Sequence, residues 1–231
     1  MAVLKSALIV GAGAGLSASL ARLFTKHGLQ VALASRDPSK LAKLAGETAA
    51  ATFACEASEP EEVAGLFDAV VPTIGVPDIV VYNASARARG PVTDLDPADV
   101  ARAIAVSAFG GFLVAQQAAR LMVARGSGVI LLTGASASVK GYANSSAFAM
   151  GKFALRGLAQ SMARDMSPKG VHVAHFVIDG GIRSAARVDA ANNPDSLLDP
   201  DAIAETYWHV ANQPRSAWTW EVELRPWVEN F

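Results

Sequence analysis

The stretch Ile9-Val10-Gly11-Ala12-Gly13-Ala14-Gly15-Leu16-Ser17-Ala18 decides how this chain folds. An apolar run ends at Val10, glycines alternate with alanines, and a helical pattern opens at Leu16. Two glycine registers fit. Gly13, Gly15 and Ala18 satisfy G-x-G-x-x-A, whereas Gly11 and Gly15 match the first two glycines of G-x-x-x-G-x-G, with Ser17 in the third place. In either register glycine permits a tight turn and close backbone approach. The first N–H groups of the helix lack intrahelical partners and can face a pyrophosphate. A strand before and a helix after are the context the pattern needs, so Gly11, Gly13, Gly15 and Leu16 are expected at a dinucleotide site.

Outward from that turn, short β-type runs alternate with longer helical patterns, which predicts a parallel sheet with crossover helices. The strand candidates are Ala7–Val10, Gln30–Ser35, Thr52–Cys55, Asp78–Asn83, Gly128–Thr133, Val171–Ile178 and Trp218–Leu224. The helix candidates are Leu16–His27, Ser39–Glu47, Pro60–Val70, Pro97–Arg125, Ser145–Asp165 and Asp201–Val210. The strands are apolar on both faces, as buried parallel strands are. The expected fold is α/β, a Rossmann-type doubly wound, mainly parallel seven-stranded sheet with helices on both faces, in one domain over 1–231. Segment 180–200 interrupts the rhythm with Gly-Gly, Asn-Asn-Pro and Asp-Pro punctuation. Long loops in compact domains are usually functional, and this one is read as a mobile substrate lid.

Composition narrows the function classes. With 20 Lys+Arg against 21 Asp+Glu the net charge is −1, and the cations are scattered, which gives nucleic-acid binding no electrostatic support. The single cysteine, Cys55, excludes an internal disulfide framework and suits a reducing compartment. No Cys/His cluster has metal-ligand spacing. The apolar run before Gly11 is too short for a signal core, and no run of apolar residues reaches a membrane span. A soluble cytoplasmic protein without membrane or nucleic-acid partners is expected.

The end of the second strand bears on which nucleotide binds. About 20 residues past the glycines an NAD site carries Asp or Glu for the ribose 2′-hydroxyl. Here Ala34-Ser35-Arg36 stands instead. Arginine pairs bidentately with a 2′-phosphate and serine adds a hydrogen bond, so NADP is favoured over NAD.

Several further segments together resemble the short-chain dehydrogenase/reductase family over nearly the whole chain. The third strand ends Ala54-Cys55-Glu56, placing Glu56 where relatives hold an acid near the adenine. The fourth ends Val81-Tyr82-Asn83-Ala84-Ser85, similar to the family's N-N-A-G, with Asn83 and Ala84 matching and Tyr82 and Ser85 departing. Leu131-Leu132-Thr133-Gly134-Ala135-Ser136 resembles the catalytic-serine segment, and Phe148-x-x-x-Lys152 resembles Y-x-x-x-K without its tyrosine. Asp179-Gly180-Gly181-Ile182 replaces a Pro-Gly turn that approaches the nicotinamide, which adds Ile182 to the cofactor set.

The resemblance implies a catalytic tetrad, and this chain departs from it at three places. Ser107 stands in the segment where the asparagine is expected. Ala135 is thirteen residues before Phe148 and Ser136 is twelve before, so either Ser136 serves or the serine is lost. Phe148 replaces the proton-donating tyrosine, and Lys152 is retained. A divergent subgroup of the family combines an irregular glycine motif, phenylalanine for tyrosine and a kept lysine. Lys152 should still face the cofactor, because positions i and i+4 share a helix face. Three replacements for the proton donor stand open: Tyr142, Lys152 through a water, or an activated C=C substrate whose enolate needs only electrostatic stabilisation. Ser107 and Ser136 carry hydroxyls able to orient a carbonyl. His172 and His175 are read as structural. The expected activity is NADP(H)-dependent reduction of a small carbonyl or activated C=C compound; the alternative is an inactive NADP-binding sensor or scaffold. The tryptophan-rich tail predicts a homodimer or homotetramer.

Overall fold

The computed structural model describes residues 3–229. Seven strands, β1 (Ser6–Val10), β2 (Gln30–Ser35), β3 (Ala51–Ala54), β4 (Ile79–Tyr82), β5 (Gly128–Thr133), β6 (Val171–Ile178) and β7 (Glu221–Leu224), form one sheet. Their order is β3-β2-β1-β4-β5-β6-β7, and every pairing is parallel. Strands β1, β4 and β6 are buried along their whole length, which explains their unbroken apolar runs. The fold expected from sequence is the fold observed.

Helices α1 (Leu16–Lys26), α2 (Ala42–Thr48) and α7 (Pro200–Ala211) cover one face. Helices α3 (Pro60–Ile74), α4 (Pro97–Ile104), α5 (Gly110–Arg125) and α6 (Ser146–Met166) complete the structure, with α3, α5 and α6 packed on the other face. Large side chains such as Ile9, Phe24, Leu131 and Phe176 are fully buried between these layers. Truncating one of the aliphatic ones to alanine costs about 2–5 kcal/mol.

The strand order reverses between β1 and β4, and a doubly wound sheet binds its ligand in the crevice at the strand ends there. That places the loop after β1, the end of β2 and the loop after β4 side by side.

Three local expectations are corrected. The strand drawn from Trp218 begins only at Glu221; Arg215–Ala217 forms a 3-10 turn and Trp218 stacks on His172 at 4.7 Å. The helix drawn from Ser39 starts as a 3-10 turn, Pro38–Leu41, capped by the Asp37 carboxylate, and becomes α2 only at Ala42. The single helix drawn over Pro97–Arg125 contains a π-turn, Ala105–Phe109, between α4 and α5. That 29-residue helix is long and apolar enough, by length and composition alone, to cross a membrane, which the sequence reading did not anticipate. In the fold its α5 part packs against β4, β5 and α6, as a core helix does.

Segment 180–200 is internally braced. Arg183 pairs with Asp189 at 2.7 Å and Asp199 at 3.2 Å, and Ile182 bridges Leu198 in parallel.

Candidate active site

The glycine-rich turn is shaped by two demands. Gly11 adopts φ +83°, and a Cβ there would lie inside the Ala84 backbone, so β1 and β4 meet only over glycine. Gly13 and Gly15 have open space where a Cβ would stand, and Gly13 lines the crevice at the strand ends. No side chain caps α1 at Gly15, which leaves its N-terminus to a ligand. The Leu16 side chain is buried in the core, which leaves only its backbone toward the turn.

A crevice of about 680 Å³ runs from this turn across the sheet edge. Gly11, Gly13, Ser35, Arg36, Glu56, Asn83, Ala84 and Ser85 line it, which gathers most of the cofactor residues expected from sequence. Lys40, Cys55 and Val106 also line it and were not expected. The Ser35 hydroxyl is buried without a hydrogen-bond partner, an unused polar group beside exposed Arg36. Burial, then the nearby Glu62 and Glu56, pushes the Cys55 thiol up to about 11, so it stays protonated.

Two expected residues have protein partners of their own. The Asn83 amide donates to Ser17 Oγ at 2.7 Å, and that hydroxyl donates to the Gly11 carbonyl at 3.1 Å. Ser17, in the third place of the G-x-x-x-G-x-G register, thus braces the turn. Glu56 accepts from the Ser58 hydroxyl at 3.1 Å. Ile182 is half-buried against the core beyond the crevice lining.

The other end of the site is built around α6. Lys152 is 3 % exposed and donates from Nζ to the Thr133 carbonyl at 2.6 Å. Burial, aided by the Arg87 charge, lowers its pKa to about 7, because a buried ammonium loses its hydration. Phe148, 6 % exposed, lies one turn before it, with the Lys152 Nζ 5.8 Å from its ring centroid. On the same ring lies Arg87, its Cζ 3.8 Å from the centroid. Arg87 was not anticipated; it sits in a loop with no periodic pattern.

The serines divide. Ser107 is fully buried inside the π-turn, where its hydroxyl accepts from Ala86 N at 3.2 Å and donates to Ala86 O at 3.3 Å. Its role as a free carbonyl-orienting group is therefore corrected, since both functions of the hydroxyl are taken. It also packs where Gly151 lacks a Cβ. Ser136 is half-buried at the start of the 3-10 turn Ser136–Ser138. Ser138, not Ser136, is the tied hydroxyl: it accepts from Ala135 N at 3.1 Å and lies 3.3 Å from His175 Nε2. Nδ1 of His175 meets Glu221 at 3.0 Å, and Glu221 is clasped by Arg156 at 2.6 and 2.7 Å. Gly134 makes this possible, because a Cβ there would strike the His175 ring. Burial lowers the His175 pKa to about 4, so the ring is neutral; with Nδ1–H donated to Glu221, Nε2 accepts from Ser138. Tyr142 is 47 % exposed on the loop before α6, and among the described residues its hydroxyl has no hydrogen-bond partner. No group of His, Cys, Asp and Glu able to hold a metal occurs among the described residues.

Residues 5–194 match the family model described as short chain dehydrogenase. An uncharacterised oxidoreductase of Thermotoga maritima is 32% identical over 203 residues, covering 84% of this chain and 79% of that protein. A short-chain dehydrogenase structure from Rhodopseudomonas palustris superposes with TM-score 0.84 at 32% identity, covering 96% of this chain and 99% of that one. A metagenomic short-chain oxidoreductase, solved in complex with NADP, superposes with TM-score 0.84 at 28% identity, covering 96% and 97%.

Proposed function

Because the chain belongs to the short-chain dehydrogenase family, we propose that it is an NADP(H)-dependent oxidoreductase. Its substrate is a small carbonyl or activated C=C compound, reduced without a tyrosine proton donor. The observation that carries the cofactor half is the buried, unpartnered Ser35 hydroxyl beside Arg36 on the crevice. That pair suits a 2′-phosphate and would repel no anion, and the solved relative in complex with NADP supports the same choice. Gly13, Gly15 and the α1 N-terminus would hold the pyrophosphate, Glu56 would stand near the adenine, and Ala84, Ser85 and Ile182 would border the rest. The bound nucleotide supplies hydride.

The chain's own residues must then supply the proton. Lys152 is suited to it: a pKa of about 7 puts its ammonium in the range where a positioned acid is both populated and willing to give its proton. Thr133 O holds Nζ in place. Phe148 contributes an apolar wall that excludes water, and Ser136 retains an unengaged hydroxyl on the adjacent turn. Tyr142 is the weaker candidate, since nothing fixes its hydroxyl. The alternative reading, an NADP-binding sensor or scaffold without turnover, is favoured by Ser107, whose hydroxyl is spent on Ala86. The proposal extends to a cytoplasmic setting, a lid at 180–200, and a homodimer or homotetramer, although Trp218 and Trp220 pack inward and only Trp227 is strongly exposed.

Fluorescence titration with NADPH and NADH, followed by carbonyl and enoyl panels on the wild type and Phe148→Tyr, tests the reading. Tighter NADPH binding with measurable wild-type turnover is expected. NADPH binding without oxidation, together with ketone reduction gained by Phe148→Tyr, selects the sensor. Failure to bind either nucleotide at millimolar concentration removes both readings. A monomer by light scattering at micromolar concentration removes the assembly.

A further inference from the structure

One arginine packs on the Phe148 end of the site, and two more lie within reach of its charge. Arg87 lies over the Phe148 ring, its Cζ 3.8 Å from the centroid. Arg89 follows two residues later on the same loop. Arg187 arrives from segment 180–200 and folds back over the turn after β6, its Nη1 3.0 Å from where a Cβ on Gly181 would stand. Arg89 and Arg187 are each close enough to act on Arg87: partial burial first, then their charges, hold Arg87 below the ordinary arginine pKa. Lys152 approaches the same ring as Arg87, its Nζ 5.8 Å from the centroid.

No carboxylate answers them. Among the described residues, none of the three arginines lies within ion-pair distance of an Asp or Glu. The contrast within one segment is direct: Arg183 is met by Asp189, Asp195 and Asp199, whereas Arg187, four residues on, is met by none. Clustered like charge is unfavourable unless something neutralises it, and a protein that builds such a cluster at a site mouth is complementary to an anion. Arginine on an aromatic face keeps its in-plane N–H groups for a bidentate oxyanion. The nucleotide's phosphates are accounted for elsewhere, at the glycine turn and at Ser35 and Arg36.

We propose that Arg87, with Arg89 and Arg187, forms an oxyanion subsite, so that the compound reduced carries a carboxylate or phosphate beside its reacting carbonyl or alkene. This rests on the oxidoreductase reading above. Phe148 is then the floor on which Arg87 is held, and the residue in the tyrosine's place acts as a specificity element.

The test compares charged and neutral members of matched pairs: acetoacetate against methyl acetoacetate, and dihydroxyacetone phosphate against dihydroxyacetone. Two readouts are taken on the NADPH-saturated protein, the ligand-induced rise in Tm and kcat/KM. The charged member of at least one pair is expected to be preferred by about 10–100-fold, the worth of a charge-assisted hydrogen bond. Which pair responds separates carboxylate from phosphate. Arg87→Gln should collapse that preference to within about threefold, and Arg87→Lys should restore part of it. Arg187→Gln, on an exposed side chain, should lower the preference several-fold while NADPH affinity holds. Equal preference for charged and neutral members, or a preference that survives both Gln variants, overturns the subsite. Absence of NADPH binding instead overturns the oxidoreductase reading, and the anion-induced Tm rise of the nucleotide-free protein, lost in Arg187→Gln, still reports on the subsite.

Discussion

The two ends of the site contrast in what they leave unfilled. At the β1–β2 end, the uncapped helix, the Ser35 hydroxyl and exposed Arg36 all present polar groups without protein partners. At the α6 end the buried polar groups are engaged, Ser107 with Ala86, Ser138 with His175 and Lys152 with Thr133, and the less buried Ser136 and Tyr142 hydroxyls stay open. Groups left open at a buried edge cost stability unless a ligand fills them, whereas engaged groups rigidify. The first end is thus built to receive, and the second to hold a shape and a charge. What the second end offers in charge is cationic: Lys152 and Arg87.

The largest expected effect would sharpen that division. Lys152→Met should lower reductive turnover by about 10²–10⁴-fold, the usual worth of a positioned acid, while NADPH affinity changes far less. Equal losses in both would erase the distinction between the two ends. The pH profile carries the same information. The acid form of Lys152 is depleted as pH rises through about 7, so wild-type turnover should fall above that value. Its stability effect has the opposite sign. The unfolded lysine titrates near 10.4, so between about 7 and 10 the unfolded state binds the extra proton, and this residue makes stability rise with pH. Thermal melts of wild type against Lys152→Met should show that slope only in the wild type.

Next in size, Gly11→Ala should break the receiving end alone. The positive φ and the Ala84 backbone together make the added methyl cost about 2–4 kcal/mol, visible as a lowered Tm and as lost nucleotide binding. Arg36→Gln should then reduce the preference for NADPH over NADH by about 10–100-fold without moving Tm, since the side chain is exposed. The smallest effect is the most diagnostic. Ser35→Ala removes an unsatisfied buried hydroxyl, so the ligand-free protein should be unchanged or up to about 1 kcal/mol more stable. NADPH binding should nevertheless weaken by about 3–10-fold, measured by titration. A Tm loss without an affinity loss would mean that Ser35 serves the fold and not the nucleotide.

The sheet was readable in the sequence because its central strands β1, β4 and β6 are buried along their whole length and announce themselves as apolar runs bounded by polar turns. The glycine turn was readable because its chemistry is local. The cationic end was not. Arg87 lies in Ala86-Arg87-Ala88-Arg89-Gly90, where nothing in spacing or composition shows that the loop folds back onto α6. Ser138, His175 and Glu221 come from three separate elements, and only the sheet order brings them together. Trp218 read as part of a strand by alternation, but stacking on His172 holds it in the turn before one. The π-turn escaped because a one-residue phase shift in a long apolar helix leaves the pattern plausible on either side. Its signal was Gly110-Gly111, unusual in a helix interior and required here because Tyr82 and Ala57 crowd Gly110.

That wide turn is equivalent to one residue added to an α-helix, and its consequence is an asymmetry between two kinds of change. The extra residue rotates everything before it relative to everything after it by about 100°. That rotation lets Ser107 reach Ala86 on one side while Gly110 and Gly111 meet Tyr82 on the other. The Tyr82 hydroxyl, fully buried, donates to the Val106 carbonyl within the widened turn. Point substitutions along 105–109 keep this arrangement in register. Deleting one residue there yields a more regular helix that no longer aims both halves at once, so the segment should accept replacement far more readily than loss.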